Sequence, residues 1–284
     1  MTVLAVVTDM HPLLVVSFIL TPVVLLFAVW LVLIAPRARK KDMAPFLRPY
    51  AHRGLWNDGA PENSLAAFSR AVSHGYAIEL DVQLSKDGTV MVFHDYTLAR
   101  MCGEEVRLSD LTAAELAEKR LLGSAEHIPT LAEVLALVDG RVPLLIELKG
   151  ESTSLILCAP LAKLLDDYHG PYMIESFNPM LLRWFKKHRP QVLRGLLSTN
   201  LIKEKRDGSR VLNFLLSSLL LTFLCRPAFH AWDGHYPYRL ALRVGLRLFG
   251  AASFVFTMKS KEEYSRFLGA GHIPIFDSFI PVDR

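Results

Sequence analysis

The stretch AHRGLWNDGAPENSLAAFSRAVSHGYAIELDVQLSKDGTVMVFHD, residues 51–95, carries most of the polar chemistry of the chain and sets the reading of its fold. Within it His52, Arg53, Glu79, Asp81 and His94 all stand at the ends of short apolar runs. Glu79 and Asp81 are two apart, so on a strand both carboxylates point to the same face. The SKDGT segment that follows Leu84 is too short for a helical crossover. Its centre, Asp87-Gly88, is a two-residue hairpin signal. A turn centred there pairs Lys86 with Thr89, and the same register sets Asp81 opposite His94, with Cβ atoms about 4.5–5.5 Å apart. The hairpin is expected to rise past the rim of a sheet and bring His94 back beside Asp81.

Working outward, apolar runs recur at 50–54, 77–84, 90–94, 142–149, 172–177, 192–198, 228–233, 252–258 and 273–277. Helical patterns lie between most of them, at 64–74, 112–119, 130–138, 154–168 and 179–187. Ser64, Thr112 and Thr130 occupy helix-start positions, the last two with a glutamate three residues on. Strand–helix alternation in one domain predicts an α/β fold with a parallel sheet. Eight such units close into a TIM (β/α)8-type barrel, with the hairpin as the extra strand at its C-terminal face. An open doubly wound sheet is the alternative, but no G-x-G-x-x-G or phosphate-binding lysine loop follows any strand.

A third acid, Glu147, ends the run LLIELK, with Lys149 on the same face. Three carboxylates at one barrel mouth need a compensating cation, and oxygen-only ligands select Ca2+ or Mg2+ over zinc. His52 and His94 then read as an acid–base pair. Arg53 and Lys149 add positive charge, which suits a substrate bearing phosphate.

Residues 13–35 contain no charged side chain, enough to cross a hydrocarbon core of roughly 30 Å at about 1.5 Å per residue. Asp9 and His11 precede this run and Arg37, Arg39, Lys40 and Lys41 follow it. That pattern predicts an uncleaved single-pass anchor in the cell membrane, with the N-terminus outside and the catalytic domain cytoplasmic. The expected organisation is a tail at 1–12, a transmembrane helix at 13–35, a basic linker at 36–48 and the barrel at 49–284. The net charge of +4 resides mostly before residue 49, so the domain is close to neutral and no nucleic-acid partner is expected. The basic cluster instead suits membrane lipid headgroups. Three widely spaced cysteines, Cys102, Cys158 and Cys225, read as reduced core residues.

His52-Arg53-Gly54, Pro61-Glu62-Asn63-Ser64, Glu79-x-Asp81-Val82, Lys86-Asp87-Gly88, His94-Asp95 and Glu147-x-Lys149, in this order, resemble the glycerophosphodiester phosphodiesterase family. The resemblance is strong over 50–150 and continues through Glu175-Ser176-Phe177 to Phe276-Asp277. It implies a TIM-type barrel that hydrolyses a glycerophosphodiester to glycerol 3-phosphate and an alcohol. It also implies that His52 and His94 are catalytic, that Glu79, Asp81 and Glu147 hold the divalent metal, and that Arg53, Glu62 and Lys149 line the substrate. Ser64, Phe256 and Lys259 depart from the family pattern, the last two in the expected head-group pocket.

A second apolar stretch, VLNFLLSSLLLTFL at 211–224, is too short to span a bilayer and is flanked by cations. It reads either as an ordinary barrel helix or as an interfacial helix that lays Leu215, Leu216 and Leu219 in the leaflet. Three activities compete: hydrolysis of soluble glycerophosphodiesters, a lysophospholipase D reaction on membrane lysophospholipids, and a catalytically inactive membrane-bound adaptor.

Overall fold

A computed structural model of the chain describes residues 12–37, 40–57, 59–150, 154–205, 208–237 and 239–281. Among the described residues nine strands follow one another: β1 Tyr50–His52, β2 Ala77–Leu84, β3 Val90–Val92, β4 Leu144–Leu148, β5 Tyr172–Ser176, β6 Arg194–Ser198, β7 Phe229–Asp233, β8 Ala252–Met258 and β9 Ile273–Phe276. The sheet order is β1-β9-β8-β7-β6-β5-β4-β2-β3, and β1 also pairs with β2. Every pairing is parallel except β2 with β3. Eight parallel strands therefore close into a barrel, with β3 as an antiparallel extension on β2. The expected (β/α)8 architecture is present, and the open-sheet alternative is excluded by the β1–β2 closure.

The period-two pattern explains which side chains face the lumen. Along β2, Ile78, Leu80 and Val82 join the layer between strands and helices, while Ala77 joins the lumen cluster. Glu79, Asp81 and Gln83 share the lumen face with Ala77 and are all buried. Lumen positions thus run from apolar at the strand starts, the barrel floor, to charged at the strand ends, the mouth. Tyr50, Phe229 and Phe254 fill the lower lumen without exposure, each contributing about 1.5–3 kcal/mol by leaving water. Met43 and Phe46 join this cluster from the segment before β1, so part of the region expected as a linker closes the floor.

The outer helices include α2 Leu65–Ser73, α3 Leu131–Val138, α4 Cys158–Asp166 and α5 Pro179–His188, followed by α6 Arg210–Ser217, α7 Thr222–Cys225, α8 Leu240–Arg247 and α9 Lys261–Gly269. The N-caps are those anticipated: Ser64 accepts from the Ala67 amide, and Thr130 forms a capping box with Glu133. All three cysteines are free, and Cys158 and Cys225 are buried as expected.

The hairpin differs from expectation by one residue. Val82 pairs with Val92, and the Phe93 amide bonds to the Asp81 carbonyl, so Asp81 lies opposite Phe93 rather than His94. Ser85 and Thr89 close the loop instead of Lys86 and Thr89, and Gly88 takes φ +81°. A three-residue loop with its last residue left-handed is the next commonest hairpin connection, and it shifts the register by one. Beyond β3, residues 93–128 form a small apolar cluster of their own around Phe93, Leu98, Met101 and Leu116.

The stretch 211–224 is not one helix. It breaks between α6 and α7, where Leu219 has φ +58°. Its outward residues are not the leucines expected to enter the leaflet: Leu219 is buried and Leu215 and Leu216 are half-buried. Asn213, Ser217 and Leu219 are buried, whereas Val211, Leu212 and Phe214 are exposed. Ser217 Oγ accepts from the Leu201 amide, which gives that polar face a reason to turn inward.

Ahead of the barrel, α1 Pro12–Ile34 is a 23-residue helix without an acidic or basic residue in its end turns. Its side chains are described from Ser17 onward, except Ile19. Among the described residues no helix is long and apolar enough to cross a membrane. The expected tail at 1–12 lies outside the described residues except for the backbone of Pro12. Of the expected span at 13–35, only the side chains of residues 13–16 and 19 lie outside what is described.

Candidate active site

Strand ends bring the predicted residues to one place. Parallel register aligns Asp81 on β2 with Glu147 on β4, and Glu147 with Glu175 on β5. On the other side, His52 on β1 aligns with Glu79. Glu79, Asp81 and Glu147 are buried and each offers a carboxylate oxygen within 4.8 Å of the others. Lys149 Nζ lies 2.8 Å from Asp81 Oδ1 and 2.8 Å from Glu147 Oε1. Arg53 Nε lies 3.4 Å from Asp81 Oδ2, and the Arg53 amide donates to Glu79 Oε2 at 3.0 Å. Asn63 Nδ2 donates to Asp81 Oδ2 at 2.9 Å.

This crowding decides the charges. Burial, followed by repulsion from Asp81, Glu147 and Glu175, pushes Glu79 well above the usual carboxylate range. Burial also works against ionised Asp81, but Lys149 and Arg53 overcome it and hold that carboxyl low. Glu147 is raised by burial and by Asp81, against the pull of Lys149. Two cations thus leave the acid cluster undercompensated, and hard oxygen donors in this number suit a divalent ion. The residues present fit a divalent metal ion.

Local backbone helps to build the cluster. Arg53 and Asn63 both adopt left-handed φ of +56°, costly for residues other than glycine. Gly54 follows at φ +85°, where a Cβ would stand 2.9 Å from the Ala67 Cβ, so only glycine lets the β1 loop pack on α2.

Each histidine has its own acid partner. His52 Nδ1 is 3.3 Å from Asp277 Oδ1, which also accepts from Trp56 Nε1 at 2.9 Å. The other ring nitrogen, Nε2, is 3.9 Å from Glu79 Oε2. His94 Nδ1 is 2.6 Å from Asp95 Oδ1. Although His94 lies beyond the β2–β3 ladder, Gln83 Nε2 donates to the Phe93 and Asp95 carbonyls and holds its segment in place. Burial, with Lys149 and Arg53 opposing a further positive charge, lowers His94 to about 4. It is neutral near pH 7.

Glu62 bonds Arg53 at 2.8 Å and also accepts from Arg100, which reaches Asp95 in turn. Arg100, Asp277 and Glu175 are the site residues that reading the sequence did not assign. Glu175 carried a usable signal, an acid inside the apolar run YMIES like Glu147 inside LLIELK. Arg100 and Asp277 carried none by pattern, because Glu62 lies 38 residues from Arg100 and the partners of Asp277, His52 and Trp56, lie 225 and 221 residues from it.

Comparison with known proteins converges on one family. The glycerophosphoryl diester phosphodiesterase family model matches residues 52–277. The chain belongs to this family. It is thereby a phosphoric diester hydrolase. A glycerophosphodiester phosphodiesterase of Caldanaerobacter subterraneus subsp. tengcongensis is 39% identical over 163 residues, covering 52% of this chain and 65% of that protein. A second, from Bacillus altitudinis, is 33% identical over 172 residues, covering 55% of this chain and 68% of the relative. Among solved structures, the glycerophosphodiester phosphodiesterase of Thermotoga maritima superposes with a TM-score of 0.62 at 29% identity, over 81% of this chain and 94% of that one. A phosphodiesterase from Oleispira antarctica, solved with the product sn-glycerol-3-phosphate, superposes with a TM-score of 0.67 over 81% of this chain and 92% of that one. At 24% identity this second likeness speaks to fold alone.

Proposed function

We propose that the protein hydrolyses glycerophosphodiesters to sn-glycerol 3-phosphate and an alcohol. His52 and His94 are the acid–base pair, and Glu79, Asp81 and Glu147 hold Ca2+ or Mg2+. The observation that carries this reading is three buried carboxylates within 4.8 Å of one another, in a chain of this family.

When bound, the divalent ion supplies charge neutralisation for the phosphate and the oxygens around it. Arg53 and Lys149 add fixed positive charge beside the cluster and orient the anionic oxygens. Glu62 keeps Arg53 in position through its 2.8 Å bond. His94, held neutral, is set to accept a proton at Nε2, since Nδ1 faces Asp95. Protonated on both ring nitrogens, His52 donates from Nδ1 to Asp277 and holds a proton at Nε2, beside the acid cluster, to pass to the departing alcohol.

The same reading keeps residues 13–35 as a single-pass anchor with the barrel on the cytoplasmic side. Helix α1 has 23 residues, about 35 Å at 1.5 Å per residue, and cations follow it. Reporters fused at each end of the chain test that topology.

The activity is tested with the full chain in Ca2+ or Mg2+ and with chelator. Glycerophosphocholine and a lysophospholipid are offered, with His52→Ala as control. Glycerol 3-phosphate from the first substrate, lost with chelator and with the variant, is the expected result. Lysophosphatidate from the second alone points to lysophospholipase D, and no product from either leaves an adaptor.

A further inference from the structure

From residues 21 to 29 every residue of α1 is exposed, including Val23, Val24, Leu25, Leu26 and Phe27. A helix lying along the barrel wall would bury a residue every three or four positions. Helix α1 therefore stands clear of the barrel until its last turns, where Trp30 and Leu31 pack on the outer core and Ile34 is fully buried. The place of attachment is defined by two hydrogen bonds. Arg226 Nη1 donates to the Ala35 carbonyl at 2.9 Å, and the Arg37 amide donates to the Pro227 carbonyl at 2.8 Å. Pro227 precedes β7, so this joint lies at the floor, the end of the barrel opposite the catalytic mouth.

Cations gather round the joint. Lys186, in the last turn of α5, donates to the Phe223 and Leu224 carbonyls of α7. Arg183, Arg194 and Arg226 all lie close enough to repel its charge. Lys187 follows in the same turn of α5 and is exposed, as is Arg183. Helices of the barrel run from mouth to floor, so the C-terminal turn of α5 belongs to the same face.

We propose that this floor face, around Arg37, Arg183, Lys187 and Arg226, rests on an anionic bilayer surface and points the catalytic mouth away from the membrane. The proposal rests on the anchor reading of residues 13–35 and adds a fixed orientation to it. An apolar helix joined at the floor holds that end of the barrel nearest the lipid, with the mouth on the far side. Basic side chains at that joint are attracted to anionic headgroups. The consequence for substrate is direct: a water-soluble glycerophosphodiester reaches the site freely, whereas a lysophospholipid must first leave the bilayer. The exposed Val211, Leu212 and Phe214 at the start of α6, near the mouth, then face solution rather than lipid.

The full chain is reconstituted in vesicles of phosphatidylcholine, with or without phosphatidylglycerol, whose outer headgroups carry an energy-transfer acceptor. A donor is attached to cysteine at the floor (Ala270→Cys) or above the mouth (Glu118→Cys), with Cys102→Ser in the background. The floor donor is expected to be the closer to the headgroups by about 20–25 Å, the length of seven strand residues at 3.3 Å each. Phosphatidylglycerol should sharpen that difference, and Arg183→Glu with Lys187→Glu should remove the sharpening. Equal transfer from both positions, or stronger transfer from the mouth, overturns the orientation. Sharpening that survives the charge reversal overturns the role of these cations. Protein that fails to float with either vesicle refutes the anchor reading itself, a distinct outcome.

Discussion

His52 Nδ1 faces Asp277 Oδ1 at 3.3 Å, joining residues 225 apart in sequence across the seam where β1 meets β9. The His52 side of the site is thus assembled only when the barrel closes. Asp277 itself lies below the usual carboxylate range: burial opposes this, and the His52 hydrogen bond with the His52 and Arg53 charges overcomes it. Asp277→Asn is expected to lower kcat on the order of 10²-fold, with little change in KM and an unchanged circular dichroism spectrum.

Metal binding can be read without turnover. Titration calorimetry with Ca2+ or Mg2+ alone should show one site on the full chain. Glu147→Gln should weaken that binding, because Glu147 is one of three clustered carboxylates. The Asn63→Leu variant, which removes the hydrogen bond orienting Asp81, should weaken it by roughly 10- to 100-fold. Unchanged affinity in both variants would place the cation elsewhere.

Stability should fall in mild acid through His230. This residue of β7 is fully buried against α8, and burial lowers it to about 4, against a small pull from Leu196 in the other direction. In the unfolded chain a histidine titrates near 6.5. Between about 6.5 and 4 the unfolded chain therefore binds the proton more readily, so acid favours unfolding. The contribution is complete above about pH 6.5 and declines as pH falls toward 4, by about 3 kcal/mol in all. Denaturant titrations at pH 7.5 and 5 should show the loss, and His230→Asn should reduce its pH dependence.

Glycine positions separate backbone from packing. At Gly88 a Cβ meets nothing within 4 Å, yet φ is +81°, so Gly88→Ala should cost about 1–2 kcal/mol by backbone strain alone. Gly54→Ala adds a collision with Ala67 to the same strain and should cost more, with loss of activity. Chemical denaturation of both variants gives the comparison.

Local pattern wrote much of this protein into its sequence. Alternating apolar positions located the strands, and capping residues located several helices. The spacing of His52, Glu79, Asp81, His94, Glu147 and Lys149 named a site that the barrel brings together, because parallel strands in register bring their ends to one rim. Asp87-Gly88 announced a hairpin, but not its length. Whether the turn holds two residues or three depends on which residue takes the left-handed conformation, and only the folded loop decided that. Tertiary structure alone placed Asp277 on His52, Arg100 between Glu62 and Asp95, and Asn213 inward with Phe214 outward. Such contacts depend on how the closed barrel sets separate segments side by side, a relation that no local period encodes. The side chains that 51–95 contributes to the cluster were legible in the residues; the partners that orient them came with closure.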